Sequence, residues 1–143
     1  MNKENIFYYP VRIHYRDTDA GGVVYHANYL SFTEMARSEY LRSLGMSLPI
    51  LAEKGILFVV RSAALEYLAP AVLEDLLHVT VTVTKIKRAS IRFIQQILRK
   101  SDNKVLCVAD VLIACVSSET FRPILMPEDV RKCFNNLMVE LGE

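Results

Sequence analysis

The spacing of apolar side chains changes period once along this chain, and that single change restricts the fold more than any other feature. Residues 28–44 place Tyr29, Phe32, Ala36, Tyr40 and Leu44 at three- and four-residue steps, the stripe of an amphipathic helix. Glu34, Arg37, Ser38, Glu39, Arg42 and Ser43 make the other face polar, Asn28 suits the N-cap, and Gly45 suits the C′ position. From Leu57 the period is two. Extended runs cover 57–69, 76–87, 90–100 and 105–116, broken by Pro70, by Arg88-Ala89-Ser90 and by the turn residues Ser101-Asp102-Asn103. Val79, Val81 and Val83 alternate with Thr80, Thr82 and Thr84, while 105–116 is almost continuously apolar and predicts a strand covered on both faces. Residues 11–16 predict one strand ahead of the helix, and 47–54 a short second helix. A final helix is expected near Pro127, with that proline in its first turn and Glu128 and Asp129 at its positive end. One strand, one long helix and then consecutive antiparallel strands predict an α+β fold with the sheet curled around the helix. The length, 143 residues, suits a single domain.

Charge and cysteine usage exclude several function classes. A formal net charge of +1 without a long basic run lacks the footprint of a nucleic-acid binder. No apolar run approaches the ~18 residues of a membrane span, and MNKENIFYYP lacks the apolar core of a signal peptide, so a cytoplasmic protein is expected. Cys107 and Cys115 lie in one extended run, where eight steps of ~3.3 Å put them beyond disulfide reach. With Cys133 they are read as small core or interface hydrophobes. There is no CxxC pair, and His14, His26 and His78 are scattered, so neither a structural metal nor any other cofactor is expected. The hydrophobic share, 52%, is slightly high and points to a subunit interface.

The chemistry concentrates in YRDTDAGGVVYHANY, residues 15–29. Two carboxylates, Asp17 and Asp19, precede Gly21-Gly22 and then Tyr25-His26, and a helix follows at once. Glycine lets backbone approach a ligand closely, and the first N–H groups of a helix are unpaired and favour negative charge. A carboxylate beside oriented donors is what acyl transfer requires. A solvated turn is the plainest alternative. An EF-hand loop fails, because Gly21 falls at the fifth position and Asn28 at the twelfth, where a bidentate Glu belongs. No GxSxG elbow or P-loop is present.

The stretch VRIHYRDTDAGGVVYHANYLSFTEMARSEYL resembles the hotdog-fold acyl-CoA thioesterases of the 4-hydroxybenzoyl-CoA thioesterase family, in particular the branch encoded beside the Tol-Pal system. The similarity runs from about Pro10 to about Ser117 and rests on the string D-x-D-x-x-G-V-V-Y-H-x-x-Y. The resemblance implies a hotdog fold and hydrolysis of an acyl-CoA, or of an acyl-carrier-protein thioester, without a cofactor. It also implies assembly as a homodimer or homotetramer with active sites at the dimer interface. It makes Asp19 the catalytic carboxylate, as nucleophile or general base, with Asp17 ordering the loop or lining the substrate site. It places the oxyanion-holding main-chain N–H on His26, whose imidazole either shapes the pocket or merely fixes the loop. Tyr25 and Tyr29 would wall the acyl pocket, and Arg88 with Ser90 would meet the nucleotide. Arg61, Glu66 and Asp110 are read as solvated or paired across the sheet. Two rivals remain: a hotdog hydratase or dehydratase using Asp19 with His26, and a non-catalytic acyl-thioester binding module.

Overall fold

The computed structural model describes residues 6–139. Strands β1 (Phe7–Arg12), β2 (Ile56–Tyr67), β3 (Leu76–Ile86), β4 (Ser90–Arg99) and β5 (Lys104–Ser117) form one antiparallel sheet ordered β1-β3-β4-β5-β2. Helix α1 (Asn28–Ser43) packs against β1, β3 and β5, α2 (Leu48–Glu53) against β2, and α3 (Glu128–Asn135) against β3. The α+β arrangement is the one expected. No helix among the described residues is long and apolar enough to cross a membrane.

The alternation in β3 settles which face meets the helix. Val79, Val81 and Val83 are fully enclosed, whereas Thr80, Thr82 and Thr84 are half-buried. The core continues through Ile91, Phe93 and Ile97 of β4 and Cys107, Val111 and Cys115 of β5, which meet Tyr29, Phe32, Ala36 and Tyr40 of α1. All three cysteines are free, and burial raises the Cys107 thiol to about 11. Gly45 closes α1 at φ +76°: its N–H reaches the Arg42 carbonyl and that of Met46 the Leu41 carbonyl, the paired bonds of a Schellman motif.

Several expectations are corrected. The first strand lies at Phe7–Arg12, and Tyr15–Asp17 form a 3-10 turn because the Asp17 carboxylate accepts the His14 N–H at 2.8 Å. Pro10 is tolerated in β1 because β1 is an edge strand. Asn28 is the first residue of α1, not its cap; Ala27 holds the N-cap position. Pro127 is the N-cap of α3 rather than part of its first turn. Leu44 is exposed, just past the helix end. The outer face of β5 is half-buried and not covered, although its sequence is apolar on both sides. Arg37, expected on the polar face of α1, is only 8% exposed.

Gln95 explains how a polar helix face can sit so close to the core. Its amide donates to the carbonyls of Thr33 on α1 and Thr80 on β3, both at 3.1 Å. Its oxygen accepts from Arg37 Nη1 at 2.9 Å. Helix, β3 and β4 are thus tied through one fully buried side chain. Gln95→Leu leaves these groups unpaired, each at a cost of ~1–3 kcal/mol. The expected result is a loss of at least ~2 kcal/mol in urea unfolding, with Tm lower by roughly 4 °C or more.

Candidate active site

The loop between β1 and α1 is a small hairpin held by its own residues. Thr18 and Val24 form an isolated bridge, and the Asp19 main chain accepts the Gly22 N–H at 3.0 Å and donates to Val23 at 2.9 Å. Gly22 sits at φ +81°, a conformation that a side chain would strain. Gly21 is constrained for a different reason, the close approach of a side chain. Its N–H donates to Asp19 Oδ1 at 2.8 Å, and a Cβ there would stand 3.2 Å from that oxygen.

This geometry separates the two carboxylates. Asp17 is half-buried and braces the loop: its side chain takes the His14 N–H, and its carbonyl takes the Tyr25 N–H and the Asn28 side-chain amide, each at 2.9 Å. Asp19 is exposed at the hairpin tip, with Oδ1 on Gly21 and Oδ2 without a hydrogen bond among the described residues.

After the hairpin the chain returns through Tyr25 and His26 to the helix start. The main-chain N–H groups of His26 and Ala27 make no hydrogen bond among the described residues, whereas that of Asn28 is satisfied by the Tyr25 carbonyl. The His26 carbonyl accepts the Tyr67 hydroxyl at 3.1 Å. Its imidazole packs on Tyr25 (4.7 Å between centroids) and edge-on to Tyr67 (6.3 Å). No acid lies within hydrogen-bond reach of that imidazole among the described residues, so the acid–histidine pair of a hydratase is missing within one chain.

Beside this return lies an open cavity of about 300 Å³ lined by Val24, His26, Tyr29, Tyr67, Leu68, Ala69 and Pro70. Tyr29 is enclosed behind it, and its hydroxyl accepts the Ala71 N–H at 3.1 Å. Burial raises the Tyr29 phenol above its ordinary range, so it keeps its proton at neutral pH.

Of the sequence candidates, His26 and Tyr29 line the cavity, with Tyr25 packed on His26. Asp19 stands on the adjoining hairpin, outside the lining. Arg88 and Ser90 are not brought there. Ser90 and Val59 both pair with Ala114, so they mark one end of the sheet while Tyr67 marks the other. Eight strand residues separate the two, ~26 Å at ~3.3 Å each. Asp110 pairs with Arg92 at 2.9 and 2.5 Å, which holds its carboxyl below the usual range, while Arg61 and Glu66 are exposed. Tyr67 was not singled out from the sequence. Its only signal there is an aromatic residue at a strand end shortly before Pro70.

Residues 13–134 match the family described as the Thioesterase-like superfamily. An acyl-CoA thioesterase YbgC of Haemophilus influenzae is 44% identical over 135 residues, covering 94% of this chain and 98% of that one. The solved structure of a probable thioesterase from Bartonella henselae is 34% identical, with a TM-score of 0.79 over 85% of this chain and 99% of its own. A 1,4-dihydroxy-2-naphthoyl-CoA thioesterase from Synechocystis, at 23% identity, shares the fold with a TM-score of 0.86, covering 92% of this chain and 97% of its own.

Tyr29→Phe removes the only acceptor of the buried Ala71 N–H among the described residues. A loss of ~1–3 kcal/mol in thermal or urea unfolding is expected.

Proposed function

The chain belongs to the thioesterase-like superfamily and has its hotdog fold, and from that membership we propose that it hydrolyses acyl-CoA thioesters with Asp19 as the reacting carboxylate. One observation carries the assignment within the pair of acids: Asp19 has an unengaged oxygen at an exposed tip, while Asp17 is committed to the loop. The unpaired N–H groups at the helix entrance, on His26 and Ala27, supply donors for a developing oxyanion. Two routes use this placement. In one, the Asp19 carboxylate attacks the thioester carbon, expels the thiolate and forms a mixed anhydride that water then opens. In the other it takes a proton from the attacking water. The aromatic and apolar wall of His26, Tyr29 and Tyr67 receives the acyl group.

Assembly completes the site in this reading. Strand β2, twelve residues long, ends the sheet with its outer edge unpaired among the described residues, and it exposes Val59, Val60 and Tyr67. An unpaired apolar edge of that length is a template for a second strand. Two copies joined antiparallel through β2 set the Val59 end of one against the Tyr67 end of the other. A second copy thereby carries its Arg88 and Ser90 toward this chain's cavity, where a cationic side chain suits the phosphates of coenzyme A. We place the working unit in the cytoplasm as a homodimer or homotetramer.

A thiol-release assay over a panel of acyl-CoAs tests the activity, with an acyl-carrier-protein thioester as the competing carrier. Water addition to an enoyl-CoA without thiol release would replace the hydrolase with a hydratase. Asp19→Asn should lower kcat by at least ~10²-fold with folding intact. Asp17→Asn should lower it less. A larger loss from Asp17→Asn in equally folded protein reverses the assignment. His26→Ala, which keeps the main-chain N–H, should retain much of the activity; a near-total loss puts the imidazole in the chemistry. Light scattering at assay concentration should show a dimer or tetramer, and a fully active monomer refutes the composite site.

A further inference from the structure

Each of the two unpaired N–H groups at the helix entrance belongs to a peptide whose carbonyl is held elsewhere. The His26 N–H shares its peptide with the Tyr25 carbonyl, which accepts the Asn28 N–H at 2.9 Å. The Ala27 N–H shares its peptide with the His26 carbonyl, which accepts no main-chain N–H among the described residues. The partner of that carbonyl is the Tyr67 hydroxyl, at 3.1 Å. The N-cap residue, Ala27, makes no side-chain cap, so the first turn is not pinned from that side.

Tyr67 is itself held in place. It closes β2 opposite Cys107 of β5, and the next two N–H groups, of Leu68 and Ala69, reach the Leu106 carbonyl at 2.8 and 3.2 Å. Its ring stands edge-on to Tyr29, 5.5 Å between centroids, and Tyr29 is tied in turn to the Ala71 N–H. Desolvation raises the Tyr67 phenol above its ordinary value, so it keeps the proton it donates.

In a planar trans peptide the C=O and N–H point in opposite directions, so a donor on the carbonyl fixes where the N–H aims. The same bond draws electron density toward the carbonyl oxygen and strengthens the N–H as a donor. An oxyanion donor is worth most when it needs no reorganisation as charge develops. We propose that Tyr67 is a positioning residue for the hydrolysis: it acts through the His26–Ala27 peptide, aiming and polarising the Ala27 N–H as an oxyanion donor. Its hydroxyl touches the donor's peptide and not the reacting atoms. The inference rests on the hydrolase reading above.

Thiol release by the full chain is measured for Tyr67→Phe and for 4-aminophenylalanine at position 67, which keeps the ring and restores an N–H donor. Tyr67→Phe should lower kcat about tenfold, less than the ~10²–10³ of an oxyanion donor lost outright. KM should stay nearly unchanged, because the ring remains in the cavity wall. The amine should recover most of the lost kcat. By NMR of the substrate-free protein, the Ala27 amide nitrogen should move upfield in Tyr67→Phe and return with the amine, a readout that needs no turnover. A wild-type chain that releases no thiol from any acyl-CoA overturns the hydrolase reading and this inference with it. An active wild type with unchanged kcat in Tyr67→Phe overturns this inference alone. So does a loss confined to KM, a failure of the amine to rescue, or an unmoved Ala27 resonance.

Discussion

A helix laid on the face of a sheet needs something beyond apolar contact to fix where it sits, because apolar packing is non-directional. Gln95 supplies that fixing here. It is enclosed on β4, and it donates to one carbonyl on α1 and one on β3 while accepting from Arg37. Sliding α1 by a fraction of a turn would break these bonds in a medium where unpaired groups are expensive. The position of the helix start, and therefore of the His26 N–H, follows from this cross-link near the middle of the helix. A second anchor acts at the other end of the lever: Tyr29 holds the Ala71 N–H, and the Ala71 carbonyl holds the Val24 N–H.

The elements were legible in the sequence because periodicity is a local property. The helix, the Val–Thr alternation of β3 and the turn at 101–103 each carry their own pattern within a dozen residues. What failed to show was decided by groups far apart in the chain. Arg37 reads as a surface residue by its chemistry and its place in the helical wheel; its burial is supported by Gln95 and Phe93, 58 and 56 residues away, together with Thr33 one turn back. The same holds for 105–116, whose apolar residues on both faces say nothing of whether a second layer exists to cover them. At 11–16, alternation was present but lost to a local competitor, the Asp17 carboxylate capping the turn that starts at His14.

The site was legible in part, through residue types and spacing. The glycine pair of the hairpin, the exposed carboxylate and the aromatic residues at the helix entrance are contiguous in sequence, so one string names them. Tyr67 is 41 residues from His26, and its hydroxyl reaches that residue's carbonyl only because β2 runs back past the helix start. Its role belongs to the sheet order and not to any motif.

That sheet order also decides how much of the proposed site one chain would hold. The ladder puts the cavity beside His26 at one end of β2, and Arg88 with Ser90 at the other. No rotation of side chains closes a gap of ~26 Å. An antiparallel two-fold joining of edges does close such a gap, because it reverses the strand direction and sets unlike ends together. In the proposed site a second copy would supply Arg88 and Ser90, and the strand order calls for it before any contact at the interface is considered. Extra apolar contact along β2 would strengthen such a pair, but the antiparallel register alone would bring the Arg88–Ser90 end of one copy to the His26 end of the other.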